Sequence, residues 1–78
     1  MMVDYFGKDM SQRYGDAISE NFKGRVISKR ISEMDSENGL RHTGSQIGIG
    51  IYEMLQALEG MCYEGRAQEI SDSEYLVL

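Results

Sequence analysis

The sequence predicts an α+β domain in which three helices are followed by a C-terminal β-hairpin, and three observations lead there. Apolar residues between Ser11 and Cys62 recur mostly at spacings of three and four, the period of a helix face. Glycine and Asx/Ser clusters break that pattern, while proline is absent. Two short apolar runs at the C-terminus flank a polar tetrad, as in a hairpin.

The first helix is expected over Ser11 to Phe22, with Tyr14, Ala17, Ile18 and Phe22 on one face. The next apolar set, Val26, Ile27, Ile31 and Met34, projects onto nearly the opposite face. One straight helix cannot bury both, so the chain should break at Asn21 to Gly24 and resume as a second helix over Arg25 to Met34. A strand competes for this second piece, but the adjacent Val26 and Ile27 spoil a period of two. Met34-Asp35-Ser36-Glu37-Asn38-Gly39 then reads as a stop and turn.

Thr43-Gly44-Ser45-Gln46 matches the capping-box pattern and should open the third helix. Its core stripe would be Ile47, Ile51, Met54, Leu55, Leu58, Met61 and Cys62. A strand through Ile47 to Ile51 competes, because Gly48 and Gly50 each cost a helix about 1 kcal/mol. The stripe that continues in phase to Cys62 favours the helix, and Gly65 is the expected stop. Ala67 to Ile70 and Tyr75 to Leu78 form the hairpin, closed by Ser71-Asp72-Ser73-Glu74.

A length of 78 residues fits a single domain over 1–78 with a thin core. Cys62 is the only cysteine, which rules out an intramolecular disulfide and leaves no Cys/His cluster for zinc. No cofactor or metal is expected, and a reducing, cytoplasmic setting fits. The first residues carry neither a basic start nor an apolar core of a secretory signal, and no 18-residue apolar run follows, so a membrane is not an expected partner. With no staple, a homodimer or a bound partner is the expected source of extra stability.

The net charge of −5 is unevenly spread. Residues 23–42 carry Lys23, Arg25, Lys29, Arg30 and Arg41 against Glu33, Asp35 and Glu37. Residues 43–78 set Arg66 alone against Glu53, Glu59, Glu64, Glu69, Asp72 and Glu74. Such an acidic half repels phosphate and attracts basic surfaces.

Helix, helix, capped helix and hairpin is an element order that resembles a winged helix-turn-helix domain, with Thr43 to Leu78 as third helix and wing. The resemblance implies a DNA-binding transcriptional regulator, probing the major groove with Ser45, Gln46 and Gly48 and holding phosphates with basic residues. Lys29, Arg30 and Arg41 are the candidates for those phosphate contacts. The chain departs from that pattern in three ways. The connection from Asp35 to Thr43 is long, the third helix has no Lys or Arg, and the wing carries Glu69, Asp72 and Glu74.

The other functional expectation is a small acidic interaction protein, not an enzyme, that docks on a basic surface of a protein partner. Inhibitors encoded by phages offer a fold-level analogy for this mode. Its candidate contacts are Ile49, Tyr52, Glu53 and Gln56, projected away from the core stripe, together with Glu69, Asp72 and Glu74. Cover by the first helix is the alternative explanation for Ile49 and Tyr52. His42 and Cys62 are too ordinary a pair to imply catalysis, and the glycines at 44, 48 and 50 do not form a phosphate loop.

Overall fold

A computed structural model describes the backbone of residues 2–78 and the side chains of residues 8–78. The elements are α1 (Met2–Phe22), β1 (Val26–Ser28), a 3-10 turn (Ile31–Glu33), α2 (Leu40–Gln46), α3 (Ile51–Tyr63), β2 (Ala67–Ser71) and β3 (Glu74–Val77). The three strands make one antiparallel sheet in the order β1-β3-β2. Ile18 and Phe22 of α1 meet Met54, Ala57, Leu58 and Met61 of α3, and the sheet closes this core with Ile27, Ala67, Tyr75 and Val77. No described helix is long and apolar enough to cross a membrane.

α1 ends at Phe22, as the spacing requires, but begins at Met2 and not at Ser11. Met10, Tyr14, Ile18 and Phe22 follow one another at four-residue steps, so the face that packs on the core already includes Met10, ahead of Ser11. Gly24 then adopts φ +78°, the left-handed conformation that turns the chain out of the helix.

The expected second helix over Arg25 to Met34 does not form. Val26, Ile27 and Ser28 pair with Leu76, Tyr75 and Glu74 of β3, and only the one-turn 3-10 segment follows. The sheet is therefore three-stranded and not a simple hairpin. Adjacent β-branched residues lose side-chain freedom in a helix, and a strand partner that lies far along the chain decides the matter.

The third helix is also divided. Thr43 does not cap a helix; it lies inside α2, fully buried, and its hydroxyl donates back to the Gly39 carbonyl at 2.7 Å. α2 has no side-chain cap, and its free amides at Arg41 and His42 donate to the Met34 carbonyl at 3.0 and 3.3 Å. Ile47 to Gly50 is neither helix nor strand but a turn around Gly48, φ +81°. The carboxylate that helps begin α3 is Glu53, whose Oε1 accepts the Gly50 amide at 3.0 Å. α3 ends before Gly65, φ +76°, where the sequence expects it.

The hairpin forms with β2 one residue longer than expected and β3 beginning at Glu74. A register shift between Glu69 and Ser71 sets Ile70 out of the ladder as an exposed bulge residue.

Candidate functional site

The buried stripe of α3 is Met54, Ala57, Leu58 and Met61, so its opposite side must face outward. At helical spacing that outer side carries Tyr52, Gln56, Glu59 and Tyr63, about 16 Å from end to end. Tyr52 is 71% and Tyr63 72% exposed, so α1 does not cover them. α3 carries no Lys or Arg at all.

The sheet borders this face with a second group. Cross-strand partners share a face, which puts Ile27, Tyr75 and Glu69 on the side that packs against the helices, and Lys29 follows Ile27 at the strand period. Lys29 Nζ donates to Tyr75 Oη at 3.3 Å, lies 3.6 Å from Glu69 Oε2 and sits 5.2 Å from the Tyr75 ring centre. Lys29, Tyr75 and Glu69 join Glu59, Cys62 and Tyr63 of α3 around an open cavity of about 370 Å³.

Burial alone would lower the Lys29 pKa, but the hydrogen bond to Tyr75 and the charges of Tyr75, Glu69 and Glu59 together hold it above 10.5. Burial raises the Tyr75 hydroxyl above its ordinary 10.0, and Lys29 offsets this only in part. Burial also pushes up the Cys62 thiol, with Glu69 and Glu59 adding to it, so the thiol stays protonated near neutrality and is a poor nucleophile.

All three raised values carry the same sign. A group held above its unfolded pKa stabilises the fold below that pKa and loses the contribution as pH rises through the folded value. Wild-type stability is therefore expected to fall as pH climbs past 9.0, 10.0 and 10.5, the ordinary values for Cys62, Tyr75 and Lys29. Tyr75→Phe should flatten the fall. Urea midpoints measured at neutral and strongly alkaline pH check this, and an equal fall in both proteins would refute it.

No family model, curated protein or solved structure matches the chain.

The expected contact residues divide accordingly. Tyr52 and Gln56 lie on the outer side of α3, although the Gln56 side-chain oxygen is buried and has no hydrogen-bond partner among the described residues. Ile49 is not on that face; it lies in the turn before α3 and packs against the core. Glu53 is occupied at the start of the helix. Glu69 belongs to the cavity, Glu74 pairs with Arg30 at 3.6 Å and Asp72 is exposed at the tip of the hairpin.

The candidate phosphate contacts are less available than the sequence implies. Lys29 is held by Glu69 and Tyr75, Arg30 by Glu33 and Glu74, and Arg41 by Asp35 at 2.7 Å. Ser45 and Gln46 are exposed near the end of α2, not at the start of α3. Among the described residues, no group of three or more His, Cys, Asp or Glu side chains is placed to hold a metal ion.

Sequence reasoning missed Glu59, Tyr63 and Tyr75. The spacing of Tyr52, Gln56, Glu59 and Tyr63 was a usable signal, but the misplaced start of the third helix drew attention to Ile49 instead.

Proposed function

We propose that this chain is a protein-interaction module built on a winged-helix scaffold, and that the outer face of α3 docks on a basic surface of a protein partner. The observation that carries the reading is that face itself, where two well-exposed tyrosines flank Glu59 on a helix that has no Lys or Arg of its own. Tyrosine supplies large contact area at little entropic cost and is enriched at the energetic centres of interfaces. A net charge of −5 steers such a face toward a positive partner.

The scaffold reading rests on the order helix, strand, helix, helix, strand, strand, with β1 beside β3. In winged-helix proteins the helix at the α3 position enters the major groove. That order also favours a second reading, a DNA-binding regulator. Glu59 on α3 and Glu69 on β2 oppose it, since each would approach phosphates at an electrostatic cost.

Fluorescence anisotropy of a labelled hexa-arginine peptide and of a labelled 20-base-pair duplex, each over a salt series, separates the two. The peptide is expected to bind and the duplex is not. Tyr52→Arg should weaken peptide binding by about tenfold or more, the scale of an interface anchor. Tight, salt-sensitive duplex binding by the wild type, weakened when Lys29 and Arg30 are neutralised, would overturn the proposal in favour of the second reading.

A further inference from the structure

We infer that the cavity between α3 and the sheet receives one arginine side chain of the basic partner, with Glu59 as its counter-ion and the Tyr63 ring as one wall. This rests on the proposed docking of α3 against a basic protein surface and names the contact that would make it specific.

The site already holds a cation. Lys29 places its ammonium 5.2 Å from the Tyr75 ring centre and 3.6 Å from Glu69, so the surroundings favour positive charge enough to hold Lys29 above its ordinary pKa despite partial burial. Lys29 does not use up the negative charge. The cavity is lined by one cation and two carboxylates, and Glu59 has no cation within ion-pair distance among the described residues. About 370 Å³ remains with Lys29 in place, room for a further side chain beside it.

A guanidinium suits that space better than a second ammonium. It is flat, can stack on an aromatic face and can bridge to a carboxylate with two parallel hydrogen bonds. Cys62 and Tyr63 belong to the last turn of α3, which has no basic residue, so the partial negative charge at the helix end also favours a cation there. Lys29 acts as a positioning residue, since its contacts hold Glu69 and Tyr75 at the rim.

The test uses the whole chain, its amide resonances, and two small probes, N-acetyl-arginine amide and the neutral isostere N-acetyl-citrulline amide. Arginine amide is expected to shift Glu59, Cys62, Tyr63, Glu69 and Tyr75 in a saturable way, and citrulline amide is not. Glu59→Gln keeps the shape but removes the charge; it should abolish the arginine response and weaken hexa-arginine binding about tenfold, the effect of one lost charge-assisted hydrogen bond. Glu20→Gln, which removes an equal charge from the exposed side of α1, should leave both responses unchanged. Unchanged urea midpoints show that each variant is folded.

Arginine shifts that map elsewhere, or that persist in Glu59→Gln, overturn the inference. If hexa-arginine binds wild type and Glu59→Gln equally, the pocket assignment falls and the docking reading stands. If arginine amide maps to the cavity but hexa-arginine does not bind, the docking reading falls and the pocket stands.

Discussion

Gly39→Ala is expected to destabilise the fold by at least about 3 kcal/mol, beyond the usual cost of one extra methyl group. The cause is not backbone strain, because Gly39 has φ −82° and ψ 162°, which any residue adopts. A Cβ there would run into the carbonyl oxygens of Glu33 and Met34 and would lie 2.6 Å from the Met34 carbonyl carbon. These atoms cannot swing aside as a flexible side chain would. The Glu33 carbonyl accepts the Ser36 amide and hydroxyl, while that of Met34 accepts the first amides of α2. Displacing them opens the loop that holds α2 and leaves helix amides without acceptors. Urea denaturation measures the loss, and a midpoint equal to that of the wild type would contradict the close packing of this loop.

Phe22→Ala is expected to cost about 3–5 kcal/mol, from lost burial and the cavity left behind. Phe22 is fully buried where α1, α3 and the sheet meet, and Arg25 stacks over its ring at 5.2 Å. Small domains have about 5–15 kcal/mol of total stability, so this single change should populate the unfolded state visibly at 37 °C. Chemical denaturation and amide dispersion read it directly. A loss under about 1 kcal/mol would mean that the core rearranges freely around α1. Because α1 supports α3 from behind, the proposed docking through Tyr52, read as hexa-arginine binding, should weaken in parallel with the loss of folded protein.

The parts of this protein that its sequence determined by itself rest on local chemistry. The end of α1 at Phe22 and the break at Gly24, the stop of α3 before Gly65, the buried stripe Met54, Leu58 and Met61, and the hairpin all follow from spacing and glycine conformation within a few residues. Distant parts of the chain decided the rest. Val26 and Ile27 suit helix and strand alike until β3, some fifty residues later, offers its backbone as a partner. Thr43 carries the chemistry of a helix cap, but Leu40 and Thr43 are both buried, so α2 begins earlier and the hydroxyl bonds back to Gly39.

The candidate site shows the same division. The acidic bias of residues 43–78 and the outward tyrosine at position 52 can be read in one dimension. That Lys29, from the basic segment, sits among Glu69 and Tyr75 and faces Glu59 cannot. Lys29 directly follows β1, while Glu69, Tyr75 and Glu59 lie on β2, β3 and α3, and only the β1-β3-β2 order lines up the first three along one face of the sheet, opposite α3. Strand alternation decides which side each residue occupies, but the register that brings them level is set by burial of Ile27, Ala67 and Val77 against the helices, a property of the folded chain as a whole.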